Sequence, residues 1–264
     1  MRSAWARGRA GARVLAVVLL GVLGPAPVLA GSPGTGIPTP ESVLGFRPGT
    51  ARCLADWDEV LAYLSRLDDV SDRLVVEEVG RTTQDRPFVV ATLTSEANHE
   101  RLEQIRQVNL RLADPRGLDE DEAERLVGHG KAIVAMAFSI HSTEVGGTLA
   151  AVELLHHLAS SDTPAVCRML DETVLIVLPS HNPDGTQLVA EWYRRQLDTP
   201  FEGTSPPVLY HPYVGHDNNR DWYMFTQVET RLTVEHIHRR WHPQVMHDVH
   251  QMGRNGARLF VPPY

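Results

Sequence analysis

The region from residue 132 to residue 155 constrains the fold more than any other part of the chain. It begins with an uninterrupted apolar run, residues 132–138, which is followed by the polar turn His141-Ser-Thr-Glu144. Apolar residues then recur at helical spacing at Val145, Leu149, Val152 and Leu155. This pattern predicts a buried strand, a tight turn and an amphipathic helix.

A second apolar run, residues 173–178, ends in the turn-forming segment 179–185. Polar residues therefore follow two buried strands at their C-terminal ends, which is where open α/β sheets build their sites. A hairpin is predicted over 73–79 and 87–93, helices over 54–67, 98–113, 120–127 and 228–241, and a short strand over 244–249. The expected fold is α/β, with a mixed, largely parallel central sheet flanked by helices.

The N-terminal 30 residues have the pattern of a secretory signal peptide. Arg2, Arg7, Arg9 and Arg13 precede the apolar run 14–23, and small residues precede the expected cleavage point at Ala30. The run is shorter than the roughly 20 apolar residues that span a bilayer, so no stable membrane anchor is expected after cleavage. We therefore predict an exported protein, periplasmic or extracellular, with a signal peptide at 1–30, a Pro/Gly-rich lead-in at 31–50 and one domain from 51 to 264.

The charge balance argues against nucleic-acid partners. Removing the four leader arginines leaves 21 basic residues against 33 acidic residues, a formal charge of −12. Such a chain has no general attraction to nucleic acid or anionic lipid. Cys53 and Cys167 are the only thiols, and the sequence leaves open whether they form a disulfide.

The turn after the first strand carries two candidate metal ligands. His141 and Glu144 lie three residues apart at the mouth of a helix, so that one cation can take a nitrogen from the first and an oxygen from the second. Zinc accepts both ligand types, and a catalytic zinc requires three protein ligands and one open position. Eleven of the 13 histidines lie at or after His141, but His250 is distinguished because it also ends a predicted strand.

The motifs of this chain resemble, in order, those of the zinc carboxypeptidases, the family that includes carboxypeptidase A. His141-Ser-Thr-Glu144 matches the first pair of zinc ligands, Asn182-Pro-Asp-Gly185 the turn before the substrate site, Asp217-Asn-Asn-Arg220 the Asp-x-Asn-Arg segment, and His250 the third ligand. The Asp217-Asn-Asn-Arg220 motif lies within a long irregular stretch, 199–222, whose aromatic residues argue against disorder.

The resemblance implies a role for each matching residue. His141, Glu144 and His250 would hold Zn²⁺, the ligand set known for carboxypeptidase A. Asn219 and Arg220 would bind the terminal carboxylate of a peptide substrate. Asp217 would orient the first zinc histidine, and Arg194, or its neighbour Arg195, would stabilise the oxyanion.

Two departures from the family pattern stand out. Asp221 occupies a position where the family has asparagine, which leaves specificity open. The general-base glutamate of the family lies several tens of residues after the third ligand, whereas only 14 residues follow His250. The apolar ending 257–264 also lacks the polar character of a usual terminus. We therefore expect an incomplete catalytic domain, with the base and the side-chain specificity pocket encoded beyond Tyr264.

The resulting functional prediction is a secreted zinc metallopeptidase, a hydrolase that removes C-terminal residues from peptides or cell-wall peptides. Two alternatives remain open at the level of sequence. One is a non-catalytic peptide-binding module on the same fold. The other is a related zinc deacylase, which shares the His-x-x-Glu and distant-histidine arrangement but not the two additional motifs. Side-chain preference and oligomeric state are not encoded in any motif.

Overall fold

The computed structural model describes residues 36–252. The predicted signal peptide, the first five residues of the predicted lead-in (31–35) and the apolar segment 257–264 lie outside the described residues. Between residues 36 and 252, no helix combines the length and the apolar character needed to cross a bilayer.

Sixteen secondary-structure elements follow one another along the described chain. The first half contains α1 (Pro40–Leu44), α2 (Trp57–Asp68), β1 (Leu74–Arg81), β2 (Pro87–Leu93), α3 (Glu96–His99), α4 (Leu102–Ala113), α5 (Glu120–His129) and β3 (Ala132–Phe138). The second contains α6 (Gly146–Ser160), α7 (Pro164–Glu172), β4 (Thr173–Leu178), α8 (Pro183–Gln196), a 3₁₀ segment (Gly215–Tyr223), α9 (Val228–Thr233), a π-helical turn (Val234–Arg239) and β5 (Val245–Val249).

The five strands form one mixed sheet in the order β1-β2-β4-β3-β5. β4 and β5 pair with β3 in parallel, whereas β2 is antiparallel to both β1 and β4. Four of the five strands therefore point in the same direction. The α/β prediction with a mixed, largely parallel sheet is confirmed.

The two apolar strands predicted to be buried divide their side chains between two cores. Along β4, Val174, Ile176 and Leu178 pack with Ile237 and Trp241 on one face. Leu175 and Val177 face the opposite side, where α2, α6 and α7 cover the sheet. Because successive side chains of a strand point to opposite faces, a continuous apolar run is the pattern of a strand covered on both sides.

Helix starts follow the local capping signals of the sequence. Asp56 and Glu59 form a capping box at the start of α2, in which each side chain accepts from a backbone N–H of the first turn. Thr163 caps α7 ahead of Pro164, and Asn182 caps α8 ahead of Pro183. Cys53 and Cys167 are both free thiols and half-buried.

Candidate metal centre

The turn after β3 places His141 and Glu144 side by side. Ser139 adopts a positive φ of 53° and turns the chain away from the strand direction. A side chain at Gly147 would bring its Cβ within 2.6 Å of Ser139 Oγ, so this close approach of α6 to the turn requires glycine. His141 is only 5% exposed, and its Nδ1 lies 2.8 Å from Glu144 Oε1.

β5 brings His250 to the same edge of the sheet. Its parallel pairing with β3 aligns Val249 with Phe138, so both strands end at the same level. His250 Nδ1 lies 3.1 Å from Glu144 Oε2. The ligand atoms that His141, Glu144 and His250 offer all lie within 4.8 Å of one another.

The chemistry of these donors fits a divalent metal ion. Two imidazole nitrogens face the two oxygens of one carboxylate, the nitrogen and oxygen set that zinc accepts. His141 Nε2 is buried and has no hydrogen-bond partner among the described residues. A neutral imidazole that binds a cation through one nitrogen carries its proton on the other, so Nε2 is the nitrogen left to carry that proton.

Two residues that the sequence interpretation missed support this cluster directly. Asp248 Oδ2 lies 3.0 Å from His250 Nε2, a carboxylate contact of the kind that fixes the tautomer and orientation of a ligating histidine. The backbone N–H of Gln251 donates to Glu144 Oε2, and its side-chain oxygen accepts from Gly146 N–H. The i, i+2 spacing of Asp248 and His250 was the available signal, because alternate residues of a strand share a face.

An aromatic ring and a phenol also adjoin the cluster. The ring of His216 stacks on His141 with centroids 3.8 Å apart. Burial, together with the charges of Glu144 and Asp217, raises the pKa of Tyr210 to about 12. Its hydroxyl is buried without a partner among the described residues, so Tyr210 is a neutral hydrogen-bond donor near the cluster at ordinary pH.

The predicted substrate clamp lies on the 3₁₀ segment. Asn219 Nδ2 approaches His250 Nε2 at 3.4 Å, and Asn219 Oδ1 accepts from the indole of Trp222. Arg220 is exposed, and its one described hydrogen bond is from Nη1 to the carbonyl of Asn219. The structure thus brings Asn219 to the cluster and leaves most donors of the Arg220 guanidinium without a partner among the described residues.

Asp217 does not make its predicted contact. Its side chain is exposed, and no described hydrogen bond joins it to His141. Asn218, one residue later, is buried instead and donates to the carbonyl of Ile140. The 3₁₀ segment therefore turns Asn218 inward beside the histidine and turns Asp217 outward, a difference that the spacing of the motif did not reveal.

Arg194 is also engaged elsewhere. Its guanidinium binds Asp56, Glu59 and the carbonyl of Leu54, and so ties α8 to the capping box of α2. No described contact joins Arg194 to the cluster, and the exposed Arg195 has no described partner. The oxyanion role predicted for Arg194 would require its side chain to leave these acidic partners.

The residue that departs from the family pattern has a structural role. Asp221 is buried and accepts hydrogen bonds from Thr226 and Gln227. Burial alone would raise the pKa of Asp221, but these hydrogen bonds outweigh it and lower that pKa. The ionised carboxylate therefore fixes the chain between the 3₁₀ segment and α9.

The Asn182-Pro-Asp-Gly185 turn packs beneath the cluster. Asn182 Oδ1 accepts from Gly185 N–H at 3.0 Å, and buried Asp184 accepts from Thr82 Oγ1 and Gln84 N–H of the β1–β2 turn. A Cβ at Gly185 would overlap Ser142 Oγ. The turn therefore packs against Ser142, the residue after His141, and ties this region to the β1–β2 turn.

A sheet-edge site that gathers two histidines and one glutamate at the C-terminal ends of parallel strands defines a candidate metallohydrolase centre. The zinc carboxypeptidase family model matches residues 60–252, most of the chain. The chain therefore belongs to the zinc carboxypeptidase family, as its motifs predicted.

Comparison with a solved structure, a carboxypeptidase A, shows the same fold. Carboxypeptidase A from Helicoverpa armigera matches at 15% identity and a TM-score of 0.50, over 81% of this chain and 52% of that one. A metallo-carboxypeptidase from Burkholderia cenocepacia matches at 17% identity and a TM-score of 0.46, over 75% of this chain and 41% of that one. This chain thus spans about half or less of the length of these structures. No curated protein sequence matches significantly.

Proposed function

We propose that this chain is the zinc-binding part of an exopeptidase that hydrolyses the C-terminal peptide bond of peptides, including cell-wall peptides. The observation that carries the proposal is the convergence of His141, Glu144 and His250 within 4.8 Å, in a chain of the zinc carboxypeptidase family. A zinc ion held by these three residues supplies a Lewis acid for the scissile carbonyl and for the attacking water.

The surrounding residues would position the substrate and the ligands. Arg220 offers a planar fork of N–H donors that suits a terminal carboxylate, and Asn219 provides an amide between that fork and His250. Asp248 holds the proton of His250 on Nε2, so that Nδ1 faces Glu144. These roles make a free C-terminal carboxylate the feature by which substrate is recognised.

Two experiments test the proposal at different points. Zinc content of the purified 264-residue chain should be stoichiometric and should fall strongly in His250→Ala; zinc retained in full by that variant would remove His250 from the ligand set. Hydrolysis is measured on this chain and on a longer protein that contains it, of the length of the carboxypeptidases it matches.

In that longer protein, Arg220→Ala should raise KM for peptides with a free C-terminus and change little for C-terminally amidated peptides. Arg231→Ala is the matched control, since that arginine binds the carbonyls of Phe225 and Thr226 away from the cluster. An equal loss on both substrates would contradict the clamp. Zinc and peptide binding without any turnover would favour the non-catalytic binding module.

A further inference from the structure

The orientation of the Asn219 side-chain amide is determined by its hydrogen bond to an indole. Asn219 Oδ1 lies 3.0 Å from Nε1 of Trp222. An indole N–H is a donor and never an acceptor, so the amide oxygen of Asn219 faces Trp222 and its NH2 group faces elsewhere. That NH2 group lies at the metal cluster, where Nδ2 is 3.4 Å from His250 Nε2. Trp222 therefore decides which end of the amide faces the centre.

The NH2 group of Asn219 finds no acceptor at the cluster. His250 Nε2 also lies 3.0 Å from Asp248 Oδ2, and a carboxylate in this position holds the imidazole proton on Nε2. A protonated ring nitrogen has no lone pair with which to accept, so the approach of Asn219 Nδ2 to it joins two donors. No described hydrogen bond gives the Asn219 NH2 group another acceptor. Its N–H groups are thus available to an acceptor on a substrate.

Two neutral histidines pack against the indole of Trp222. Its ring centroid lies 5.1 Å from that of His181 and 6.1 Å from that of His238, with interplanar angles of 85° and 73°. Burial lowers the pKa of both histidines, that of His181 to about 4. Both imidazoles are therefore uncharged at neutral pH and contact the indole edge to face, a favourable arrangement for aromatic rings.

The supports of this indole come from separate parts of the fold. The backbone N–H of His181 donates to the carbonyl of Phe138, at the end of β3, at 2.7 Å. His238 lies in the π-helical turn, a rare irregularity that is frequent at functional sites. Asp221, the residue before Trp222, is buried and fixed by its own hydrogen bonds. Packing therefore holds the indole N–H in one direction before any substrate binds.

We propose that Trp222 is a positioning residue that keeps the NH2 group of Asn219 directed at the metal centre, so that the centre prefers a free C-terminal carboxylate to a C-terminal amide. The proposal rests on the proposed function. An ionised carboxylate is an acceptor only and matches the donors of Asn219 and Arg220. If the Asn219 amide were turned over, its oxygen would repel that carboxylate and would accept from a C-terminal amide instead. Trp222 thus acts on specificity through Asn219.

The main test compares one peptide in two forms on the zinc-loaded 264-residue chain. Calorimetry measures binding of an N-acetylated tripeptide with a free C-terminal carboxylate and of the same tripeptide with a C-terminal amide. Trp222→Phe keeps an aromatic ring but removes the N–H, so both orientations of the Asn219 amide become accessible. Affinity for the free acid should fall by about tenfold, the loss expected for one hydrogen bond to a charged group, whereas affinity for the amide should not fall.

Two further variants make this comparison specific. Trp57→Phe is the matched control, because that indole also donates to one oxygen, the carbonyl of Pro87 at 2.9 Å, and lies at the start of α2. It should retain the preference for the free acid. Asn219→Asp keeps an acceptor for Trp222 but presents a carboxylate oxygen to the centre. In that background the preference should be lost, and Trp222→Phe should have no further effect on it.

A second measurement requires no peptide and does not depend on the folding of Trp222→Phe. In NMR spectra of the isotope-labelled, zinc-loaded chain, Asn219→Ala should shift the indole N–H signal of Trp222 and speed its exchange with solvent. The indole signal of Trp57, which donates to Pro87, should not change. Thermal denaturation and zinc content verify that each variant is folded and loaded.

The outcomes separate the two proposals. An unchanged preference in Trp222→Phe, an equal loss of preference in Trp57→Phe, or a Trp222 indole signal that does not respond to Asn219→Ala would each overturn the positioning role. Each of these results is compatible with zinc binding and with a carboxylate clamp that depends on Arg220. Equal affinity of the unmodified chain for the free acid and the amide would overturn the proposed exopeptidase function as well.

Discussion

The contact between Asp248 and His250 leads to a quantitative prediction for zinc affinity. Asp248 Oδ2 lies 3.0 Å from His250 Nε2, and the carboxylate and imidazole side chains are 37% and 32% exposed. Removal of a partner that orients a metal ligand typically lowers metal affinity by about 10–100-fold, or about 1.4–2.7 kcal/mol. Partial exposure to water places the expected effect of a charge-only change near the lower end of that range.

Two substitutions at this position divide the effect into its parts. Asp248→Asn keeps an oxygen that accepts from Nε2–H but removes the charge, so zinc should bind about tenfold more weakly. Asp248→Ala removes both the charge and the acceptor, and the loss should approach about 100-fold. The graded order follows from the geometry, because only the second change leaves the imidazole N–H without its partner.

Competition titration with a chromophoric chelator at fixed pH measures the dissociation constants. Asp162→Asn is the matched control, because Asp162 is 71% exposed and forms an ion pair with Arg73 instead of contacting the cluster. The control should bind zinc as the unmodified chain does. Unchanged affinity in both Asp248 variants would refute the inference that Asp248 orients His250, whereas an equal loss in Asp162→Asn would indicate a general effect of charge.

Three further predictions concern stability and catalysis. Burial lowers the pKa of His181 from 6.5 to about 4. The unfolded state therefore takes up a proton at a higher pH than the folded state does. As the pH falls from 6.5 to about 4, the free energy of unfolding should decrease by about 3 kcal/mol. In chemical denaturation at several pH values, His181→Gln should weaken this dependence of unfolding free energy on pH, whereas His129→Gln, at an exposed position, should not. An unchanged pH dependence in His181→Gln would contradict the assignment of the effect to His181. Gly185→Ala should destabilise the fold by about 2 kcal/mol or more, because its Cβ would overlap Ser142 and the backbone. Gly128→Ala is the control, because this helical position is open; it should be neutral or stabilising by up to about 1 kcal/mol. Equal melting temperatures for Gly185→Ala and Gly128→Ala would contradict the expected clash at Gly185. Arg194→Ala should lower thermal stability by about 1–2 kcal/mol through loss of its contacts with α2; a loss of kcat of about 100-fold or more with stability intact would instead support the oxyanion role.

Local patterns predicted most of the elements correctly. The apolar run 173–178 is β4, and the turn and periodicity after residue 138 give the polar loop and α6. The α2 helix and the hairpin also formed close to their expected bounds. These features were predictable because hydrophobic periodicity, capping residues and turn residues act within a few positions of one another along the chain.

The arrangement of the site depended on contacts between distant segments. His250 could be proposed from its place after a strand, but the parallel pairing of β5 with β3 is what brings it to Glu144 across 106 positions of sequence. Arg194 illustrates the opposite case, because two carboxylates on α2 hold a side chain that its motif position assigned to catalysis. Neither the contact of His250 with Glu144 nor that of Arg194 with α2 can be predicted from the local sequence.

The sequence by itself determined the strands and helices, the family, and the spacing that sets His141 beside Glu144. Only the tertiary structure decided that Asn218 faces inward where Asp217 was expected and that Asp248 supports His250. The physical reason is that periodicity and capping arise from interactions between near neighbours in the chain. The direction of a side chain in an irregular segment is instead set by packing and hydrogen bonds with residues far away in sequence.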